Sequence, residues 1–294
     1  MQKEGIIIKA VAGVFDVFCE GSVLSAYAAG RFRNEKLKLL VGDRVTLELT
    51  QNDDKNFICS VQKRKNQIAR PTVANVDTLL ITLAVKKPNP DFMLVDQLIC
   101  WCRKIDIEPV VCINKSDYSP DEANEIAKQF KKSNIKVFIT SKEDEQSIKV
   151  LKQNISEGIT CFCGQSAVGK SSLMNQLLGK DAFETGTLSK RTERGKNTTR
   201  HCELVKFDEN KFLADTPGFS LLEMPLLSPE ELTELYFEYV PFAPSCRFKG
   251  CAHVNEPECA VKQAVEAGVL SSERHERYKE LFLQTTERWK KRYD

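Results

Sequence analysis

The segment Gly164-Gln165-Ser166-Ala167-Val168-Gly169-Lys170-Ser171 matches the pattern G-x-x-x-x-G-K-[ST] at every fixed position. An apolar stretch at 159–163 precedes it, and the helix-forming run that follows stops at Gly179. Glycines let backbone N–H groups wrap around phosphate oxygens, next to the positive end of the helix dipole. This strand–loop–helix order predicts a phosphate-binding loop. The residues expected to contact a nucleotide here are Gly164, Gln165, Ser166, Ala167, Val168, Gly169, Lys170, Ser171 and Ser172.

Strand and helix patterns alternate around this loop, from about residue 76 to 225. Apart from Thr82 and Thr160, the stretches 79–85, 109–113, 137–139 and 159–163 are apolar on both faces, as expected for buried parallel strands. Ser119-Pro120-Asp121-Glu122 is predicted to be a capping box that opens a helix. The alternation predicts a doubly wound α/β sheet. Within it, Lys170 is expected to stabilise charge on the β- and γ-phosphates and Ser171 to ligate Mg²⁺.

A polar tetrapeptide, Asn114-Lys115-Ser116-Asp117, directly follows the stretch 109–113. The Asp117 carboxylate can accept hydrogen bonds from the N1–H and N2–H₂ edge of guanine, whereas adenine would leave it unpaired. Lys115 would pack its aliphatic stem along the base. Ser141 and Lys142, after the strand at 136–139, resemble the element that borders the base in GTPases. Asn114, Lys115, Asp117, Ser141 and Lys142 are therefore the candidate base-binding residues.

A third motif, Asp215-Thr216-Pro217-Gly218, follows the apolar residues 212–214 and matches D-x-x-G. Its Asp215 is expected to hold Mg²⁺ and its Gly218 to meet the γ-phosphate. Ordinary GTPases run from the phosphate loop to D-x-x-G to the base-reading motif, but here Asn114 precedes Gly164 by 50 residues. The parts are all present in a rotated order, which indicates a circular permutation.

With these motifs, the chain resembles the circularly permuted bacterial GTPases, and specifically the ribosome small-subunit-dependent GTPase A (RsgA) family, over essentially its whole length. The resemblance implies a GTPase that binds the small ribosomal subunit during late maturation and leaves after hydrolysis. The alternative from the residues alone is a GTP-dependent RNA-binding module with little hydrolysis. An ATP-dependent enzyme with the same loop is a third possibility, which Asp117 argues against.

A polar segment between the loop helix and Asp215 contains Asn197, Thr198 and Thr199. One of the two threonines is expected to complete the Mg²⁺ shell. Members of the family carry a His just before this pair, associated with the attacking water, whereas this chain has Asn197. Because Asn can position a water but cannot take its proton at neutral pH, we expect slow intrinsic turnover that a partner stimulates. His201 is a nearby substitute, although a surface role is favoured for it.

Near the C-terminus, Cys246, Cys251, His253 and Cys259 form the spacing C-x₄-C-x-H-x₅-C. Three thiolates and one imidazole are typical of a tetrahedral structural zinc site with no open position. A helix is predicted from Ser271 towards 289, with His275 on its exposed side and without a partner. The resemblance implies that this zinc module and an N-terminal barrel together grip the small subunit and its rRNA.

The N-terminal part reads as short strands separated by turns, which predicts an OB-fold barrel. Residues 1–75 contain 12 Lys or Arg and 8 Asp or Glu. This surplus of positive charge is compatible with an ordinary solvated surface or with a face that binds nucleic acid. The predicted domains are a barrel at 1–68, a circularly permuted GTPase domain at 69–225 and a zinc-binding helical module at 226–294.

Composition sets the remaining limits. With 41% hydrophobic and 29% charged residues and a net charge of +2, the chain is neither a disordered nor a polybasic protein. Its eleven cysteines are expected to be reduced or metal-bound. No apolar run reaches the roughly 18 residues of a membrane span, and the N-terminus lacks a signal-peptide core. We expect a monomeric cytoplasmic protein without membrane contact.

Overall fold

A computed structural model of the chain describes residues 1–34, 37–49, 55–69, 72–179, 202–215 and 226–293. These residues form two compact units. One comprises the described parts of 1–79, 155–162 and 188–221, and the other those of 80–154, 163–187 and 222–294. The domain bounds predicted at 68 and 225 stay predictions. Among the described residues, no helix is both long enough and apolar enough to cross a membrane.

Five strands close into the predicted OB-like barrel, in the order β1-β2-β3-β5-β4. They are β1 (Gln2–Val11), β2 (Val14–Cys19), β3 (Ser22–Ala28), β4 (Arg44–Glu48) and β5 (Asn56–Val61). β1 pairs with β2 and with β4 in antiparallel fashion, whereas β3 and β5 are parallel. Each strand contributes one side chain with no exposed surface to the interior: Ile7, Val17, Ala26, Leu47 and Ile58. A short helix α1 (Arg31–Asn34) follows β3, and β6 (Gln67–Ile68) pairs with β7 (Val73–Ala74).

Six further strands form one sheet in the order β10-β9-β8-β11-β13-β12. They are β8 (Val76–Ala84), β9 (Glu108–Asn114), β10 (Lys136–Ile139), β11 (Gly158–Cys163), β12 (Glu203–Asp208) and β13 (Lys211–Asp215). The pairs β9–β10 and β11–β13 are parallel, and residues 79–84 of β8 are all buried. The predicted α/β sheet is therefore confirmed. Its edge strand β12 runs antiparallel to β13, which the sequence analysis did not predict.

The described residues also form seven more α-helices: α2 (Phe92–Lys104), α3 (Pro120–Lys131), α4 (Glu145–Asn154), α5 (Lys170–Leu178), α6 (Pro229–Glu234), α7 (Ala260–Glu266) and α8 (Ser272–Lys290). Helix α3 starts at Pro120 as predicted, but the predicted capping box is wrong because the side chain of Ser119 makes no cap bond. The Ser119 backbone closes the preceding 3-10 turn instead, and Glu122 pairs with Lys86 at 2.7 Å. A complete capping box occurs at α6, between Ser228 and Glu231.

The C-terminal helices share a hydrophobic core with α2. Cys100 of α2 belongs to one buried cluster with Leu232 of α6 and Tyr278 of α8. Cys251 and Cys259 lie in the same cluster. The Cys/His segment is therefore built into the packing around α2 rather than appended to it.

Candidate nucleotide-binding site and metal centre

The phosphate-type loop joins the buried strand β11 to helix α5, and both of its glycines are required by a positive φ and by atoms packed close to them. Gly164 has φ +136°, and a Cβ there would lie 1.9 Å from the carbonyl oxygen of Thr82. Gly169 has φ +99°, and a Cβ there would lie 2.5 Å from Nδ2 of Asn114. The second close approach brings the predicted base-reading motif against the loop.

Asn114 ends β9, is buried, and bonds the loop directly. Its Nδ2 donates to the carbonyl of Val168 at 2.9 Å, and its Oδ1 accepts from Oγ1 of Thr140 at 3.1 Å. Lys115 adopts the left-handed conformation, with φ 59°, and its Nζ donates to the carbonyl of Ala167 at 2.8 Å. Two adjacent residues of the tetrapeptide thus hold the backbone of a loop that follows some 50 positions later in the sequence.

Asp117 and Ser141 meet at the same edge of the sheet. Oγ of the buried Ser141 donates to Oδ1 of Asp117 at 2.7 Å, and the Asp117 side chain is exposed. The carbonyl of Lys142 accepts from Nε2 of Gln176 in α5 at 3.1 Å. The predicted base-bordering residues therefore lie between the tetrapeptide and the helix that follows the phosphate-type loop. The arrangement orients an acceptor carboxylate that a bound ligand can reach.

Lys170 begins α5 and points back over the loop. Its Nζ donates to the carbonyls of Gly164 at 2.8 Å and of Gln165 at 2.6 Å. Burial lowers the pKa of Lys170, because desolvation disfavours its charged form. A phosphate oxygen near Nζ would offset that desolvation. Ser171 and Ser172 follow in the first turn of the helix and are half-buried.

The remaining predicted nucleotide residues lie on other segments. Asp215 is the last residue of β13, whose Ala214 is opposite Cys161 of β11 in the parallel register. Asn197, Thr198, Thr199, Gly218 and His201 lie outside the described residues, so their roles stay predictions.

A phosphate-type loop after a buried strand, bonded to a guanine-type motif that precedes it in the chain, defines a circularly permuted GTPase fold. The RsgA GTPase family model matches residues 61–225, and the RsgA N-terminal domain model matches residues 4–58. The chain belongs to the RsgA GTPase family.

Individual relatives and solved structures are similar to this chain over nearly its full length. The chain is 39% identical to the small ribosomal subunit biogenesis GTPase RsgA of Clostridium novyi, over 94% of each chain. It is 37% identical to the protein of the same name from Caldanaerobacter subterraneus subsp. tengcongensis, over 99% of this chain and 98% of that one. Among solved structures, YloQ, a circularly permuted GTPase, superposes with a TM-score of 0.81 at 31% identity, covering 98% of this chain and 96% of that one. YjeQ from Thermotoga maritima superposes with a TM-score of 0.80 at 32% identity, covering 97% and 99%.

The four predicted metal ligands converge in the C-terminal part. The ligand atoms of Cys246, Cys251, His253 and Cys259 all lie within 4.8 Å of one another. Sγ of Cys246 is 3.8 Å from Sγ of Cys259 and 3.6 Å from Nδ1 of His253, and that nitrogen is 3.3 Å from Sγ of Cys259. A tetrahedral ion with Zn–S of about 2.3 Å and Zn–N of about 2.0 Å would place two sulfurs about 3.8 Å apart and a sulfur and a nitrogen about 3.5 Å apart. The donor set and its spacing fit zinc.

Backbone bonds shape the loop that carries His253. The Glu256 carboxylate accepts from the N–H groups of Ala252, Val254 and Asn255 at 2.7–3.1 Å. Burial lowers the pKa of His253. Desolvation also raises the pKa of the Cys251 thiol to about 12, so a metal ion must displace the thiol proton when it binds.

His275 was predicted to be exposed and unpartnered, and this prediction is wrong. The residue is 5% exposed, and Oη of Tyr239 lies 2.9 Å from its Nδ1. Burial lowers its pKa to about 4, so the ring is neutral at pH 7. The spacing from His275 to Tyr278, three residues on a helix, places both on the buried face and could have indicated this.

A buried ionic network, which the sequence analysis missed, joins α2 to the C-terminal helices. Nη1 of Arg274 pairs with Oδ1 of Asp96, and its Nε bonds Oε1 of Glu238 at 2.5 Å. Arg103 pairs with Glu238 at 3.2 Å, and Arg277 with Oδ2 of Asp96. The side chains of Asp96 and Arg274 are 0% and 2% exposed. Burial disfavours the charged form of Glu238, yet Arg274 and Arg103 hold its pKa below the ordinary value.

Proposed function

We propose that the chain binds GTP with Mg²⁺, hydrolyses it to GDP and phosphate, and acts in the late maturation of the small ribosomal subunit. The observation that carries the nucleotide proposal is the buried bond from Asn114 Nδ2 to the Val168 carbonyl, because it unites the base-reading motif and the phosphate-type loop. The role in subunit maturation is proposed because the relatives are named small ribosomal subunit biogenesis GTPases.

The proposed chemistry is in-line attack of water on the γ-phosphorus, with departure of GDP. Lys170 stabilises charge on the β- and γ-phosphate oxygens. Asp117, oriented by Ser141, accepts from the guanine edge, and this selects GTP over ATP. Asn197 would orient the water, and the lack of a base at that position predicts slow turnover without a partner.

Magnesium binding is assigned from the motifs. The Ser171 hydroxyl, the Asp215 carboxylate and either Thr198 or Thr199 are the proposed ligands, and Gly218 is proposed to contact the γ-phosphate. Oxygen ligands of this kind suit Mg²⁺, which supplies charge neutralisation on the phosphates when it is bound.

For the cluster of three cysteines and His253, we propose one structural zinc ion. Four protein ligands leave no coordination position for a substrate. The ion would hold the Cys/His segment against Tyr239 and Tyr278, because Cys251 and Cys259 share a hydrophobic core with these two tyrosines. We further propose that the protein is a cytoplasmic monomer, that its contact with the subunit includes the rRNA, and that the protein leaves the subunit after GTP hydrolysis.

The test is phosphate release from GTP with and without purified small subunits. We expect slow release alone, stimulation by subunits, loss of both with Lys170→Ala, and faster basal release with Asn197→His. Lys149→Ala, at an exposed lysine of α4, is the matched control and should behave as wild type. Binding of fluorescent GTP and ATP analogues is measured in parallel. GTP binding without stimulation at any subunit concentration would favour the GTP-dependent RNA-binding module, and equal binding of ATP would reject the guanine assignment.

A further inference from the structure

Helix α2 contacts the phosphate-type loop at its first residues. Asp91 caps the helix, since its Oδ1 accepts from the N–H of Leu94 at 2.9 Å. The backbone N–H of the same residue donates to Oε1 of Gln165 at 3.0 Å. The helix runs for 13 residues, about 20 Å.

The rest of α2 is fixed to the C-terminal helices. Asp96 holds Arg274, and Arg103 reaches Glu238, in the buried network described above. Cys100, between them on the helix, packs in the cluster that contains the metal-ligand cysteines. One rigid element therefore touches the loop at one end and the metal-bearing core along its length.

Gln165 links this helix to the catalytic lysine. While its side chain accepts from Asp91, its main-chain carbonyl accepts from Nζ of Lys170 at 2.6 Å. A displacement of α2 would move Gln165, and with it one of the two carbonyls that fix the ammonium.

We infer that Gln165 is a positioning residue and that α2 braces the phosphate-type loop against the C-terminal core, so that nucleotide affinity and the packing of that core are coupled. The inference rests on the proposed binding of guanine nucleotide. Coupling of this kind is reciprocal. A change that disrupts the contacts of Arg274 lowers the affinity for nucleotide, and a bound nucleotide stabilises the packing of α2 against α8.

The test is a double-mutant cycle read as the Kd for a fluorescent GDP analogue. Gln165→Met keeps the length of the side chain and removes its acceptor, and Arg274→Lys keeps the charge but cannot bridge Asp96 and Glu238. Loss of one hydrogen bond corresponds to an affinity about two- to tenfold weaker for each variant. If α2 acts as one brace, the double variant binds about as weakly as the weaker single variant. The inference would be overturned if the increase in Kd of the double variant equalled, to within about twofold, the product of the increases in the two single variants.

Two further variants keep the cycle interpretable. Lys104→Met, on the same helix, removes only a surface ion pair with Glu231 and should leave the Kd unchanged. If Arg274→Lys does not fold, as judged by its melting curve, Arg277→Lys replaces it, because Arg277 holds the other oxygen of Asp96 and is partly exposed.

Hydrogen exchange gives a readout that simple destabilisation would not reproduce. GDP should slow exchange at amides 92–104 and 272–290 in the wild type, and this protection should be lost in Gln165→Met at saturating GDP. Protection confined to the loop and α5 in the wild type would refute the brace. A wild-type protein that binds no GDP would instead reject the proposed function itself.

Discussion

Replacing Asp96 by Asn should destabilise the C-terminal part of the molecule strongly. The carboxylate has no exposed surface and is the partner of both Arg274 and Arg277. The isosteric amide keeps one acceptor oxygen but removes the negative charge. Arg274 and Arg103 would keep the Glu238 carboxylate, but Arg277 would lose its carboxylate partner and Arg274 would lose one of two.

The magnitude follows from the burial of the two arginines. Arg277 is 14% exposed and can recruit water, whereas Arg274, at 2%, cannot. Breaking a buried ion pair from one side costs about 3–5 kcal/mol. For a unit of this size, that free energy corresponds to a fall in Tm of roughly 6–20 °C. The comparison is made at pH 7, where Glu238 is ionised. Because its pKa is lowered in the folded state, Glu238 stabilises the fold fully above its ordinary pKa of 4.5, and this stabilisation is lost as the pH falls through its folded-state pKa.

Thermal and urea unfolding of Asp96→Asn against wild type provide the measurement, and Lys104→Met on the same helix is the control. That control removes an ion pair whose side chains are 39% and 37% exposed, for which a loss of at most about 1 kcal/mol is expected. An Asp96→Asn protein within about 1 kcal/mol of wild type would show that the network does not carry the stability assigned to it.

Three other perturbations test the sites. Gly169→Ala would place a Cβ 2.5 Å from Nδ2 of Asn114 and should weaken GDP binding at least about tenfold. In equilibrium dialysis, Gly179→Ala, whose Cβ would meet no atom of the described residues within 4 Å, should keep its affinity and lose only about 1 kcal/mol of stability. Cys251→Ser, or chelation of the metal, should lower the Tm. Zinc affinity in competition titrations should fall from pH 8 to pH 6, because a thiol whose pKa is raised must lose its proton on binding, and a pH-independent affinity would contradict the cluster. Asp117→Asn should shift preference from GTP to xanthosine nucleotides in competition assays, and unchanged preference would remove Asp117 from base recognition.

Local patterns predicted the parts of the fold that depend on neighbours in sequence. The loop at 164–171 and the spacing of the four metal ligands are each complete within about 14 residues, so the sequence contains the whole signal. The permuted order of Asn114 and Gly164 was also readable, because motif order needs no coordinates. The GTPase fold, its permutation and the OB-like barrel are confirmed, whereas the ligand roles of the individual residues stay predictions.

The ionic network escaped prediction for a physical reason. Charged residues on amphipathic helices usually face water, so Asp96 and Arg274 carry no local sign of burial. Their partnership exists only after segments 178 residues apart have packed together. For His275 the helical spacing from Tyr278 could have indicated burial, but its hydrogen-bond partner could not be predicted locally, because the hydroxyl that it meets belongs to Tyr239, outside its own helix.

The distance of 178 residues along the chain also bears on the order of events at the translating ribosome. At about 5–20 residues per second, Asp96 leaves the peptidyl-transferase centre roughly 10–35 s before Arg274 is even synthesised. During that interval the emerging helix carries an acidic group on its apolar side with no cation to neutralise it. The nascent polypeptide therefore cannot complete this ionic network until Arg274 has been synthesised, and a product terminated before that residue would be exposed to proteases and self-association.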